Sequence, residues 1–142
     1  MYPKFMADDR KKVILITEDE ASMLHVLTDK LIEKGFQTIQ AKNGQEGLSL
    51  AFQNNPDLIL LDILMPKMDG MAMLTSLRND SWGKKVPVII LTNVNPDADE
   101  TIQSIVKNQP AYYFVKSDIK LDDLIEKIKE ILYPPQNPAP SF

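Results

Sequence analysis

The sequence contains no cysteine, a single histidine, a single tryptophan and five glycines in 142 residues. Without cysteine there are no disulfides, no thiolate nucleophiles and no cysteine-ligated metals. The histidine, His25, falls within a helical pattern, away from the acidic residues discussed below, and reads as an ordinary helix residue. Long apolar runs are also missing. None approaches the roughly 18–20 residues needed to span a bilayer, and the polar start, Met1 to Arg10, does not resemble a secretory signal. Nor is there a large excess of one charge: 16 basic against 20 acidic residues give a net charge of −4. That balance argues against direct nucleic-acid binding and against attraction to anionic membranes. A cytoplasmic protein with no membrane association is expected. An apolar fraction of 44% in a chain of this length is enough for one globular domain with a three-layer core.

What is present is a regular alternation. Val13–Ile16 is a short run rich in β-branched residues and reads as a buried strand. Leu24, Leu27 and Leu31 then recur at helical spacing, and Gly35 supplies a stop. Phe36–Gln40 alternates apolar and polar residues, as an edge strand does. Asn43 can cap a helix whose apolar face is Leu48, Ala51 and Phe52. Leu58–Leu61 and Val86–Leu91 are further buried strands, separated by a short helix marked by Met71, Leu74 and Leu77. Asp69-Gly70 reads as a turn. Ile102, Ile105 and Val106 predict the fourth helix, Tyr112–Val115 the fifth strand, and Leu121 to Leu132 a strongly amphipathic last helix. Five β-α units with continuous apolar strands imply an α/β fold, with a parallel sheet covered on both faces. The domain is expected over residues 12–133, between an N-terminal extension (1–11) and a proline-rich, disordered tail (134–142).

In such a sheet the site forms beyond the carboxyl ends of the strands. The residues leaving those ends are Glu18 and Asp19, Asp62, Thr92 and Lys116. Carboxylates brought this close repel one another, and a hard divalent cation such as Mg²⁺ removes the conflict while leaving room for phosphate oxygens. Lys116 offers a point charge to a phosphoryl oxygen and Thr92 a hydroxyl donor, which leaves one carboxylate as a nucleophile.

These residues lie in four segments that together resemble the receiver domain of bacterial two-component response regulators, in its stand-alone form. The segments are Ile14–Glu20, Asp57–Gly70, Val86–Thr92 and Tyr113–Lys116. The resemblance implies a flavodoxin-like (βα)5 three-layer sandwich with a five-stranded parallel sheet of order 2-1-3-4-5. It implies that Asp62 is the phosphoacceptor, that Mg²⁺ is held by Glu18, Asp19, Asp62 and the Leu64 backbone carbonyl, and that Lys116 binds the phosphoryl group. Thr92 and Tyr113 would form the switch pair, repacking the helix 4–strand 5–helix 5 face, counted over the five predicted helices. The expected partners are a sensor histidine kinase or phosphotransfer protein as donor, with a downstream protein or a phosphorylation-dependent homodimer as output. No separate catalytic domain is expected.

The sequence departs from the family pattern in several places. Ser117 follows the lysine where the family usually has proline after a cis bond; a cis bond before serine would cost about 2.5–4 kcal/mol. Asn93 replaces a small residue, Leu64 and Val94 are apolar where they flank the phosphoryl site, and Pro110-Ala111 replaces a glycine-containing turn. The apolar flanks are expected to hinder an attacking water and so prolong the phosphorylated state. Two other readings share the fold. One is a pseudo-receiver that is never phosphorylated and serves as a protein-interaction module. The other is an FMN carrier, against which the acidic Glu18–Glu20 loop would repel the cofactor's phosphate.

Overall fold

A computed structural model describes residues 11–63, 69–93 and 112–134. The fourth predicted helix, Leu64, Val94, Pro110-Ala111, and most of the extension and tail lie outside the described residues. Five parallel strands form one sheet in the order β2-β1-β3-β4-β5: β1 Val13–Thr17, β2 Gln37–Ala41, β3 Leu58–Leu61, β4 Val88–Thr92 and β5 Tyr112–Val115. β3 is buried throughout, and β1 beyond Val13, because their runs are apolar on both faces, whereas β2, at the sheet edge, keeps polar residues outward. The described helices are α1 Ala21–Glu33, α2 Gly44–Asn54, α3 Gly70–Arg78 and a C-terminal helix, Leu121–Leu132.

Two cores sit on opposite faces of the sheet. On one face Leu24, Leu27 and Leu31 of α1 meet Leu124, Ile125 and Ile128 of the C-terminal helix over Ile14, Ile16, Leu58, Leu60, Ile89 and Leu91. On the other, Ala51 of α2 and Met73, Leu74 and Leu77 of α3 cover Leu15, Ile59, Leu61, Val88 and Ile90. Alternation along each strand divides its side chains between these layers. Local signals set the boundaries. Gly35 closes α1 at φ 93°, a left-handed conformation that favours glycine. The Asn43 side chain caps α2 by accepting from the Glu46 N–H at 2.9 Å. Asp57 pins the lower end of the sheet, its Oδ2 accepting from the Val13 N–H at 2.8 Å.

One expectation is corrected. Phe52 does not join the buried face of α2 but is 42% exposed and meets the Trp82 ring edge to face, with centroids 6.3 Å apart. The buried side of α2 runs through Gly44, Gly47 and Ala51, and Phe52, the next residue, is turned about 100° from Ala51 around the helix. His25 is a surface residue paired with Asp29 one turn on, as an ordinary helix residue is. Among the described residues no helix is long and apolar enough to cross a membrane.

Candidate functional site

The sheet delivers its acids to one rim by continuing its backbone pairing past the strand ends. The Glu18 N–H donates to the Ala41 carbonyl at 2.9 Å, and the Asp62 N–H donates to the Thr17 carbonyl at 3.0 Å. Glu18 and Asp19 leaving β1, and Asp62 leaving the adjacent β3, therefore stand side by side. One carboxylate oxygen from each lies within 4.8 Å of the others. Glu18 and Asp62 are buried, at 2% and 5% exposure, while Asp19 faces solvent.

Lys116, the first residue past β5, reaches back across the sheet ends into this cluster with its side chain only 7% exposed. Its Nζ lies 2.5 Å from Glu18 Oε1, 3.4 Å from Asp62 Oδ2 and 3.8 Å from Glu20 Oε2. The Asp62 contact is a hydrogen bond. The shorter Glu18 contact is the closest ion pair of the cluster. Glu18 Oε2 accepts the Glu20 N–H at 3.2 Å. No peptide bond among the described residues is cis, so Lys116–Ser117 is trans and leads into a 3-10 turn, Lys116–Asp118. The lysine reaches the acids without the proline that usually follows it.

One ammonium cannot neutralise three carboxylates, two of them buried. Burial pushes Glu18 up to about 7 from its ordinary 4.5, against the lowering effect of Lys116 and the Glu20 amide, and the charge on Asp62 raises it further. Burial alone would lower Lys116, but the contact with Glu18 and the charges of Asp62 and Glu18 outweigh it and raise its pKa. The native state thus holds a proton on Glu18 that the unfolded chain has already released above pH 4.5, so stability falls as pH rises through that window. Melting temperatures of the metal-free protein should therefore drop between pH 4.5 and about 7 relative to those of Glu18→Gln. Parallel pH profiles for the two proteins would refute this assignment.

The other expected site residues divide. Thr92 ends β4 in register with Val115, but its side chain, like the Leu64 carbonyl, lies outside the described residues. Tyr113 is half-buried against the core formed with α2 and α3. Asn93 is exposed at the rim. Two contributors escaped the sequence reading. Glu20 is one; its place directly after the acidic pair was the available signal. The other is Gly70, expected only as part of a turn. It is the first residue of α3, capped by Asp69, whose Oδ1 accepts the Ala72 N–H at 2.8 Å. Its N–H donates to the Ile63 carbonyl at 2.8 Å. A Cβ on Gly70 would collide with the Asp62 carbonyl oxygen and stand 2.7 Å from Ile63 Cα. The glycine thus lets α3 approach the strand end that carries Asp62.

A doubly wound parallel sheet of this order, with an acidic cluster and a buried lysine at its carboxyl rim, defines a signal-receiver class of protein within the flavodoxin-like fold. The chain belongs to the response regulator receiver domain family, whose sequence profile it matches over residues 14–129. It is 40% identical over 91 residues to the probable transcriptional regulator ycf27 of Guillardia theta, covering 64% of this chain but only 35% of that protein. The chain thus spans about a third of the length of that relative. It is 32% identical over 119 residues to protein PilH of Pseudomonas aeruginosa, covering 84% of this chain and 96% of PilH. A CheY-like receiver from Methanospirillum hungatei superposes with a TM-score of 0.78 at 28% identity, covering 87% of this chain and 94% of that one. The chain is thus a receiver domain of two-component signalling, and Glu18, Asp19 and Asp62 are an acidic cluster of the kind receivers use for Mg²⁺.

Proposed function

We propose that Asp62 accepts a phosphoryl group, in the cytoplasm, from a sensor histidine kinase or a phosphotransfer protein. The observation that carries this reading is the buried Asp62 carboxylate, its Oδ2 3.4 Å from the Lys116 ammonium inside the acidic cluster. A carboxylate oxygen of Asp62 attacks the phosphorus of a phosphohistidine, the P–N bond breaks, and its electron pair returns to the imidazole. Lys116 balances charge on the phosphoryl oxygens as they turn from the donor to Asp62. Burial of Asp62 limits the water that could compete with the donor.

The residues fit a metal of defined type. The donor set is hard carboxylate oxygen with no sulfur or imidazole, which suits Mg²⁺ and not zinc. Glu18, Asp19, Asp62 and the Leu64 carbonyl would hold it. When bound, it supplies positive charge to the phosphoryl oxygens and offsets the repulsion among the acids.

On this reading Thr92 turns toward the phosphoryl group and Tyr113 rotates inward. The face built on β5, the last helix and the predicted helix over Ile102–Val106 then changes its packing. That face would engage a downstream protein or a second phosphorylated copy. Intact mass after incubation with acetyl phosphate and Mg²⁺ is expected to show one added phosphoryl group on the wild type and none on Asp62→Ala. The adduct should persist for minutes or longer, given the apolar Leu64 and Val94. Loss within seconds would overturn the slow-hydrolysis expectation. An unmodified wild type, with acetyl phosphate and with several kinases, would favour the pseudo-receiver.

A further inference from the structure

Lys116 faces three carboxylates, and the reading above gives tasks to two of them. Glu18 is needed for the cation and Asp62 for the phosphoryl group. Yet the ammonium is closest to Glu18, with Oε1 2.5 Å from Nζ. A lysine and a divalent cation cannot both neutralise that buried carboxylate at contact distance without strong mutual repulsion. Lys116 must therefore leave Glu18 when the cation arrives, and a buried ammonium moving without a counter-ion is costly.

Glu20 is the third carboxylate, with Oε2 already 3.8 Å from Nζ. Its other oxygen, Oε1, accepts from the Ser22 hydroxyl at 3.3 Å, which orients the carboxylate at the start of α1. Its backbone N–H holds Glu18 Oε2, so the two acids are linked through the main chain. Room for the move is present: Glu20 and Lys116 line the same open cavity of about 260 Å³, completed by Ser22, Met23, Val26 and Leu121 among others.

We propose that Glu20 is a positioning residue for Lys116, the seat that takes the ammonium as it gives up Glu18 to the cation. Glu20 does not touch the cation. It holds Lys116 at the rim, beside the acidic cluster. This inference rests on the proposed Mg²⁺ site, and its test separates the two.

Mg²⁺ affinity is measured by calorimetry at physiological ionic strength, which weakens the field of the exposed Glu20 carboxylate at the cation. Four proteins are compared: wild type, Glu20→Gln, Lys116→Met and the double variant. Glu20→Gln is expected to weaken Mg²⁺ binding roughly three- to fivefold, the upper range for a partly exposed ion pair. In the Lys116→Met background the same change should have a much smaller effect, because there is no ammonium to reseat. Glu20→Asp should recover part of the loss. A second readout needs no change at Lys116. The Lys116 Nζ resonance of the wild type should shift on Mg²⁺ addition, and that shift should shrink in Glu20→Gln. Equal weakening by Glu20→Gln in both backgrounds would show that Glu20 acts directly on the cation and overturn the proposal. So would an unchanged Nζ shift in Glu20→Gln. A wild type that binds no Mg²⁺ would overturn the metal reading as well, whereas binding without coupling would overturn only the role of Glu20.

Discussion

Replacing Lys116 by methionine is expected to slow phosphoryl acceptance by roughly 10²–10³-fold, the usual consequence of removing one charge aimed at a transition state. The expectation follows from geometry: Nζ lies 3.4 Å from Asp62 Oδ2, and the lysine side chain is nearly buried. The change also acts on stability, with an effect that depends on the cation. Without metal, Glu18 and Asp62 lose their shared counter-ion, and breaking a buried ion pair costs about 3–5 kcal/mol. Part of that cost is relieved because Glu18, freed of the lowering effect of Lys116, takes up a proton more readily. Mg²⁺ should bind Lys116→Met more tightly than wild type, since its competitor at Glu18 is gone, and should restore much of the lost stability by mass action. Melting curves with and without Mg²⁺, beside acetyl phosphate kinetics, read both effects. Kinetics within a factor of about three of wild type would remove Lys116 from the transfer step.

Gly70→Val should be among the most damaging single changes outside the acidic cluster. Its first carbon would collide with the Asp62 carbonyl oxygen, and both neighbours are backbone that cannot rotate away. Helix α3 must then lift from the strand end, straining the packing of Met73 and Leu74 against the sheet. Overpacking of this kind costs about 1–3 kcal/mol, and the displaced atoms include the residue that carries the phosphoacceptor. A loss of several degrees in melting temperature is expected, with acceptance at Asp62 reduced beyond the fraction unfolded. Gly35→Ala provides a contrast, because Gly35 has positive φ but nothing within 4 Å of an added carbon. It should lower stability while leaving acceptance unchanged. Wild-type melting of Gly70→Val would contradict the close approach.

The strands were legible because each central one is an uninterrupted apolar run, and the acids and the lysine were legible because each follows such a run directly. Adjacency in sequence became adjacency on one rim through the parallel sheet, so Glu18, Asp19, Asp62 and Lys116 could be grouped before any coordinates. Which carboxylate Lys116 prefers was not legible. The preference depends on the reach of Glu18 and on its anchoring by the Glu20 amide, neither of which spacing encodes. Gly70 was read as half of a turn because the approach of α3 to β3 is a tertiary fact. Phe52 was misplaced for a related reason: helical spacing groups it with Leu48, whereas the sheet takes the side of α2 that carries Gly44, Gly47 and Ala51. The trans Lys116–Ser117 bond accords with the cost of the cis form before a residue other than proline.

The central claim is that Asp62 carries the phosphoryl group. Its most direct test is reductive trapping: the wild type is treated with acetyl phosphate and Mg²⁺, reduced with borohydride, digested and read by peptide mass spectrometry. An acyl phosphate at Asp62 is reduced to homoserine, so the predicted result is homoserine at position 62 and at no other acid. Trapping at Glu18, Asp19 or elsewhere, or none with any donor, would contradict the account.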